Sequence, residues 1–222
     1  MCGRFILISD LSDLCGSFNI DDVEFLPEEN YNITPGSTVS AVIAHQGRRV
    51  LRACLWGLVP HWSKKISGRV GLINARVETI HEKPSFRSSF KKKRCLIPAD
   101  GYYEWRLGKT KKTPFFIRSA SKEPLGLAGL YDVWSDGEGR ERWTCAIVTM
   151  EADSRMQPIH NRMPVIVAPE DRRLWLDPET ESEVLRGMLM SRENEELEAY
   201  PVSTLVNSPR NNDPRLIERA SH

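Results

Sequence analysis

Alternating apolar and polar positions dominate the chain, and they occur as pairs of segments separated by short turns. Residues 37–58 predict two strands that turn near Gln46 and Gly47. Residues 124–134 and 140–150 predict a second pair around the turn sequence SDGEG. Because strands joined by tight turns run antiparallel, this pattern predicts a largely antiparallel sheet.

A third pair of predicted strands surrounds the basic stretch GKTKK. The segment 95–107 precedes this stretch and 113–120 follows it, and both are rich in apolar and aromatic residues. The apolar segment 162–169 is expected to add one further strand.

Helical patterns are shorter and fewer. Residues 169–176 begin with a proline and acidic residues, and 179–190 carry apolar residues at helical spacing, so both satisfy the rules for helix starts. Residues 78–93 are expected to form a third helix after Pro84. The turn-rich segment 206–222 is expected to pack as coil.

This order of elements indicates an α+β fold, because hairpins with inserted helices occur without an alternating β-α-β pattern. No repeat and no linker divides the 222 residues, so one domain spanning 1–222 is expected. The chain shows neither a secretory signal nor an apolar run long enough to span a bilayer. A cytoplasmic location without a membrane partner is therefore expected.

Composition narrows the classes of function. Hydrophobic residues make up 40% and charged residues 27%, which is typical of a globular protein. A net charge of +1 argues against coating nucleic acid by global electrostatics, although a local patch stays open. The basic clusters at 91–94 and 109–112 are more typical of solvated faces than of ligand sites.

The five cysteines are odd in number and widely scattered, so they predict neither a disulfide framework nor a metal site. Cys54, Cys95 and Cys145 lie in apolar segments, where a thiol behaves as a small hydrophobe. Only Cys2 and Cys15 remain as candidates for chemistry. No metal or other cofactor is expected.

Cys2 directly follows the initiator in the opening sequence MCGRF. Since an initiator before a small residue is normally trimmed, Met1 is expected to be removed. Cys2 would then carry a free α-amine and a thiol on adjacent carbons. Taken alone, the same sequence is more typical of a frayed terminus with an incidental thiol.

Polar residues interrupt apolar segments at three further places. Asn74 and Arg76 share one face if their segment is extended, Glu104 lies inside a strand pattern, and His160 precedes an apolar strand. Each also has a structural interpretation. Asn74 could satisfy a loop backbone, Arg76 and Glu78 could pair with each other or face Glu104, and His160 could cap a strand end.

Taken in order, the motifs of this chain resemble one family. The motifs are MCGRF at the start, YNITPG at 31–36, WGLVPHW at 56–62, GLINARVETIHEKPSFRSSFKKKRCLIPADGYYEW at 71–105, IHNRMPVIV at 159–167 and VNSPRNNDPRLIE near the end. Together they are similar to the SRAP, or SOS-response-associated peptidase, family over nearly the whole chain. The resemblance implies a single domain with antiparallel sheets in a pseudo-barrel core and peripheral helices.

The resemblance also implies a sensor of abasic sites in single-stranded DNA that links itself covalently to the lesion. Cys2 resembles the crosslinking nucleophile, and Asn74, Glu104 and His160 resemble the polar residues around it. The expected partner is single-stranded DNA with an abasic site, which would bring the protein to the nucleoid. No obligate protein partner is evident.

The same resemblance implies contacts to DNA. Arg4, Arg76 and Thr149 fall at positions that resemble phosphate contacts, and Trp62 resembles an aromatic residue that wedges against a base. Trp105 is a further candidate stacking surface. The tryptophans expected to pack in the core are Trp56, Trp134 and Trp143.

These roles lead to one chemical hypothesis. The α-amine condenses with the aldehyde of an opened abasic sugar, and the thiol then closes a thiazolidine. Glu104 moves protons, Asn74 holds the amine and His160 donates to the sugar oxygen. Weak strand-nicking lyase activity and reversal of the crosslink are expected by-products.

Two alternatives from other classes stay open. Cys2 fits a thiol peptidase that uses its own amine as base and removes its own Met1. A non-catalytic reader of modified bases would use Glu104 and His160 only as hydrogen-bonding groups.

Overall fold

Two β-sheets dominate the computed structural model, which describes residues 2–65, 70–108, 110–136, 138–190 and 196–220. The strands are β1 (Phe5–Leu7), β2 (Asp22–Val23), β3 (Asn30–Ile33), β4 (Thr38–His45), β5 (Arg48–Trp56), β6 (Asn74–Arg76), β7 (Arg94–Ala99), β8 (Gly101–Leu107), β9 (Lys112–Ser119), β10 (Leu125–Ser135), β11 (Glu141–Glu151), β12 (Arg162–Pro164) and β13 (Leu197–Pro201). The α-helices are α1 (Leu11–Phe18), α2 (Arg87–Lys92), α3 (Arg172–Leu176) and α4 (Ser182–Met190). The predictions on Met1 and Lys109 fall outside the described residues.

The larger sheet closes into a barrel. Its strand order is β12-β11-β10-β7-β4-β5-β2, and β11 also pairs with β5, so β5, β4, β7, β10 and β11 form a ring. The closing pair is parallel and joins Thr144 to Leu55 and Cys145 to Trp56, whereas the other pairs of the ring are antiparallel. The predicted single-domain α+β fold with a largely antiparallel pseudo-barrel core is confirmed. The hairpins predicted at 37–58 and 124–150 are β4–β5 and β10–β11.

The second sheet has the order β13-β9-β8-β1-β3 and places the start of the chain beside β8. The predicted single strand over 95–107 is wrong, because it divides into β7 in the barrel and β8 in this sheet. Asp100 marks the break, and its carboxylate accepts hydrogen bonds from the backbone of Ile8 at 2.5 Å and Ser9 at 2.8 Å. The hairpin with 113–120 is confirmed for β8 and β9.

The helices are confirmed in part. A 3-10 turn over Pro169–Asp171 leads into α3, and α4 falls within the predicted 179–190. The helix expected after Pro84 in the stretch 78–93 is confirmed as α2, and turns precede it. Pro84 lacks a backbone N–H and disfavours a helical Lys83, so the helix begins later.

Three further differences concern short segments. The strand predicted over 162–169 extends only through β12, and the C-terminal coil contains a 3-10 turn at Pro214–Ile217. The helix α1 was not predicted, although Asp10 caps it by accepting from the backbone of Asp13. Across the described ranges, no helix combines the length and apolar character needed to cross a membrane.

The core contains most of the residues predicted for it. Cys54, Cys95 and Cys145 are buried, as are Trp56 and Trp134. Trp143 is half-buried and packs against the edge of this core. Its ring stacks on Tyr131 with centroids 5.3 Å apart and lies 4.2 Å beneath the guanidinium of Arg52.

The basic cluster at 91–94 has two kinds of member. Lys91 and Lys92 are exposed, which confirms the predicted solvated face. Arg94 is 2% exposed and donates to the carbonyls of Trp175 and Phe90 at 2.7 Å each. It therefore joins α2 and α3 to the barrel instead of facing solvent.

Gly57 allows a close backbone crossing that anchors the segment after β5. Its φ is +150°, and a Cβ there would lie 1.5 Å from the carbonyl oxygen of Val70. We expect Gly57→Ala to lower the free energy of unfolding by about 3 kcal/mol or more, because backbone atoms must move. Gly47, with φ +77° and nothing within 4 Å of a Cβ, is the matched control. Gly47→Ala should cost only about 1 kcal/mol in the same urea titration, and equal costs for both variants would contradict this account.

Candidate functional site

The strand pairing of β1 brings Cys2 to the buried face of β8. Phe5 pairs with Tyr102, and the backbone N–H of Tyr103 donates to the carbonyl of Arg4 at 2.9 Å. Continuing this antiparallel register towards the N-terminus carries the chain past Glu104. Cys2 is 0% exposed there, so its thiol is not the incidental exposed thiol considered from sequence.

Asn74 holds the backbone of Cys2 from the opposite side. The strand β6 pairs in parallel with β11, which matches Asn74 to Ile147. The side-chain Nδ2 of Asn74 donates to the carbonyl of Cys2 at 2.9 Å. Its Oδ1 is buried and accepts no hydrogen bond from any residue that the structure describes. An unused buried acceptor therefore lies beside the start of the chain.

Glu104 and His160 complete the cluster. Glu104 is 4% exposed, and its Oε2 lies 4.0 Å from Nδ1 of His160. Burial raises the pKa of Glu104, while the neighbouring imidazole partly opposes this change. A carboxyl group whose pKa is raised is a stronger base when ionised, and it can return the proton that it accepts.

The ring orientation of His160 is set by Arg162. The backbone N–H of Arg162 donates to Nδ1 of His160 at 3.0 Å. Nδ1 also lies 3.1 Å from the carbonyl oxygen of Arg162, so the two contacts correspond to the two tautomers of the ring. In the tautomer whose Nδ1 accepts from the backbone, Nε2 carries the proton and can donate a hydrogen bond.

The environment of Cys2 disfavours the thiolate. Burial raises its pKa, and the negative charge of Glu104 raises it further. A thiol of this kind needs a base at the moment of reaction. Glu104 is the buried carboxylate of this cluster that can supply one.

Arg162 is a residue of the site that sequence reasoning missed. Its guanidinium donates to Glu78 at 2.7 and 3.0 Å and to the carbonyl of Thr149 at 2.7 Å. The pairing of Glu78 with Arg76 or a position facing Glu104 was therefore wrong, because β12 brings Arg162 to Glu78 instead. The available signal was an arginine two positions after His160, directly before an apolar segment.

The residues predicted to contact DNA lie in different environments. Arg76 is exposed on β6 and forms no ion pair with a described residue, whereas Thr149 is fully buried. Arg4 is half-buried and donates to Asn32 at 2.6 Å and to the carbonyl of Val206 at 2.8 Å. Its guanidinium carbon lies 5.7 Å from the ring centroid of Trp105. Burial lowers the pKa of Arg4, but an arginine keeps its charge at neutral pH.

Trp62 is 57% exposed in the segment after β5, whereas Trp105 is half-buried. The indole N–H of Trp105 donates to Oδ1 of Asn207 at 2.7 Å. Trp105 and Asn207 lie with Glu104, Lys112 and His160 around a cleft of about 400 Å³. Trp105 therefore lines a cleft next to the cluster, and Trp62 presents a free aromatic face elsewhere.

Nothing in the described part of the chain forms a cluster suited to a metal. Among those residues, no group of three or more His, Cys, Asp and Glu side chains has that arrangement.

Removing the buried charge of Glu104 is expected to stabilise the fold. The pKa of Glu104 is raised in the folded state, so the wild-type protein has a lower free energy of unfolding at pH values where this carboxyl is ionised. It regains that free energy as the pH falls through the raised pKa. Glu104→Gln should therefore raise the urea midpoint at pH 7, and the difference should shrink towards pH 4. A lower midpoint for the variant at pH 7 would contradict the assignment.

The fold and the cluster define a class of protein: a closed barrel with a buried aminoterminal cysteine held by an amide and facing a carboxylate and an imidazole. The model of the SOS response associated peptidase (SRAP) family matches residues 1–209, and the chain belongs to that family.

Relatives and solved structures agree with this assignment. Abasic site processing protein YoqW of Bacillus subtilis (strain 168) is 43% identical over 224 residues, which cover 98% of this chain and 99% of YoqW. Abasic site processing protein YedK of Escherichia coli (strain K12) is 31% identical over 225 residues, covering 98% of this chain and 99% of YedK. A crystal structure of a protein from Bacteroides thetaiotaomicron matches with a TM-score of 0.87 and 27% identity, covering 99% of this chain and 100% of the other.

Proposed function

We propose that this protein recognises abasic sites in single-stranded DNA and crosslinks itself to them through the α-amine and thiol of Cys2, once Met1 has been removed. The observation that carries the proposal is the environment of Cys2, which is buried, held by Asn74 and adjacent to Glu104. Relatives such as YoqW and YedK are named abasic site processing proteins. A cytoplasmic location, at the nucleoid when bound to DNA, belongs to the same proposal.

The first chemical step joins the amine to the aldehyde of the opened sugar. An α-amine has a reference pKa of about 7.7 to 8.0, so roughly a tenth is neutral and nucleophilic at pH 7. The buried Oδ1 of Asn74 would accept a hydrogen bond from this amine. Glu104 takes a proton from the attacking nitrogen and returns it to the departing hydroxyl, so that an imine and one water form.

The second step closes the ring. The thiol of Cys2 adds to the imine carbon, its proton passes through Glu104, and the former imine nitrogen ends as a secondary amine. Because both groups belong to one residue, the step is intramolecular and has a high effective concentration. The raised pKa of the thiol explains why a neighbouring carboxylate is needed.

His160 would act before the amine. The closed sugar must open to expose the aldehyde, and Nε2 of His160 can donate a proton to the ring oxygen as it leaves the anomeric carbon. The anomeric hydroxyl gives its proton to water in the same step and becomes the aldehyde oxygen. If the thiol adds slowly, β-elimination at the imine would nick the strand and give weak lyase activity. Protonation of the thiazolidine by Glu104 would allow reversal.

Single strands should be preferred, since unstacking a duplex costs a few kcal/mol. Trp62 would stack on a base, a contact worth about 1 to 3 kcal/mol. Arg4 and Arg76 would bind phosphates, while the buried Thr149 would act through Arg162, which it contacts. A few such contacts are compatible with a net charge of +1, and they predict that the affinity for DNA depends only modestly on salt.

A thiol peptidase is less well supported by this site. Such an enzyme benefits from a thiolate with a lowered pKa, whereas burial and Glu104 raise the pKa of Cys2. The two functions make different demands on substrate, so one assay separates them. The mature protein should form a denaturation-resistant species with an abasic single-stranded oligonucleotide, form less with the duplex, and leave unstructured peptides uncut.

The role of His160 has a test of its own. His160→Ala should slow crosslinking to a natural abasic site by about 10²-fold, the lower end expected for general acid catalysis. An oligonucleotide carrying an aldehyde that cannot cyclise needs no ring opening, so its crosslinking rate should change little. Equal slowing with both oligonucleotides would rule out the ring-opening role and leave His160 as a general structural support.

A further inference from the structure

The segment that carries Trp62 is anchored on both sides of the exposed ring. The backbone N–H of His61 donates to Oδ2 of Asp132 at 2.8 Å. On the other side, the carbonyl of Ser63 accepts the indole N–H of Trp134 at 2.7 Å. Because both neighbours are bound to β10, the position of Trp62 is fixed while its side chain stays 57% exposed.

The side chain of His61 is also held by β10. Its Nδ1 lies 3.0 Å from Oδ2 of Asp132, and the imidazole is 50% exposed. Asp132 itself is 2% exposed, and its Oδ1 accepts from Nζ of Lys93 at 2.5 Å. Burial would raise the pKa of Asp132, but the hydrogen bonds from Lys93 and His61 outweigh it and lower that pKa.

This arrangement determines which nitrogen of His61 is available. An ionised carboxylate can only accept, so Nδ1 of His61 carries a proton and Nε2 is the nitrogen left for another partner. Lys93 is not available to another partner in the same way, because its ammonium group already forms an ion pair with Asp132.

We propose that His61 is a further DNA contact, whose Nε2 binds a phosphate of the strand that stacks on Trp62. This inference rests on the proposed function, because it assumes that single-stranded DNA follows this face. His61 and Trp62 then form one subsite, in which His61 binds the backbone of the strand and Trp62 binds a base. Asp132 is its positioning residue.

The contact requires a proton. A neutral ring with its hydrogen on Nδ1 has no donor for a phosphate, so the ring must be protonated on Nε2 when DNA is bound. The carboxylate of Asp132 from β10 contacts His61, and the ammonium group of Lys93, before β7, contacts the same carboxylate. Binding should therefore take up a proton and weaken as the pH rises from 6 to 8.

The test uses Cys2→Ala protein and an undamaged single-stranded oligonucleotide, so that only non-covalent binding is measured by fluorescence anisotropy. Adding His61→Gln should weaken binding about 3- to 10-fold at pH 6. It should also reduce the slope of log affinity against log salt by about 0.7, the value for one phosphate on a single strand. The pH dependence between 6 and 8 should become smaller.

Two companion variants separate this role from simple loop support. Trp62→Ala should weaken binding but keep the salt slope and the pH dependence of the parent. His61→Lys should restore affinity and salt slope with little pH dependence, since its charge is permanent over this range. Urea midpoints near that of the parent would show that all variants remain folded.

The proposal is overturned if His61→Gln leaves both the salt slope and the pH dependence unchanged, or if His61→Lys fails to restore the slope. Failure of the proposed function has a different signature. In that case the Cys2-containing wild type would form no denaturation-resistant species with an abasic oligonucleotide, whatever the His61 variants do to binding.

Discussion

A protein extended by even one residue ahead of Cys2 is expected to form no covalent complex with abasic DNA. The extension converts the α-amine into an amide, whose nitrogen does not condense with an aldehyde. The thiol remains, but thiol addition to an aldehyde is reversible and does not survive denaturation. Crosslinking should therefore fall below detection on a denaturing gel, and proteolytic removal of the extension from the same preparation should restore it.

Two substitutions serve as controls for this experiment. Cys2→Ala keeps the amine but removes the thiol, so it should leave at most an imine that hydrolyses on denaturation. Cys15→Ala removes a half-buried thiol in α1 and should crosslink like wild type. A stable crosslink formed by the extended chain would show that another nucleophile is used.

Glu104→Gln is expected to slow crosslinking by about 10²- to 10⁴-fold, the usual contribution of a general acid-base group. The amide preserves size and burial but can neither remove the amine proton nor activate a thiol whose pKa is raised. Single-turnover rates at saturating oligonucleotide measure the chemical step. Because the same variant should be more stable at pH 7, loss of rate cannot be attributed to unfolding.

Glu24→Gln is a matched control for charge. Glu24 forms an exposed ion pair with Arg52 through a 2.6 Å contact, and no hydrogen bond joins it to the Cys2 cluster in the described structure. Its crosslinking rate should equal that of wild type. A Glu104→Gln rate within a few-fold of wild type would remove Glu104 from the chemistry.

The hairpins were predictable because their signals are local. In β4–β5 and β10–β11, alternating apolar residues meet at short turns, and each turn contains a glycine with positive φ, Gly47 and Gly139. The closure of the barrel was not predictable, because the parallel pairing of Cys145 with Trp56 joins residues far apart in sequence. The division at Asp100 was missed for a similar reason, since its partners lie at Ile8 and Ser9.

The site shows the same limit. Spacing placed Asn74 and Arg76 on one strand face, but it could not bring Asn74 to Cys2, and only the resemblance grouped them. Glu78 was assigned a local partner, whereas the structure pairs it with Arg162 from a different strand. His61 gave no sequence signal, because its interest depends on a buried carboxylate in β10.

Covalent capture of an abasic site through Cys2 is most directly tested by the mass of the crosslinked species. Protein lacking Met1 is incubated with an abasic single-stranded oligonucleotide, denatured, treated with borohydride and analysed by intact mass spectrometry. The expected mass is that of the protein plus that of the intact oligonucleotide minus one water. No hydrogens should be added, because a thiazolidine resists reduction. A product that gains two hydrogens would be a reduced imine, and absence of any product of the combined mass would contradict covalent capture through Cys2.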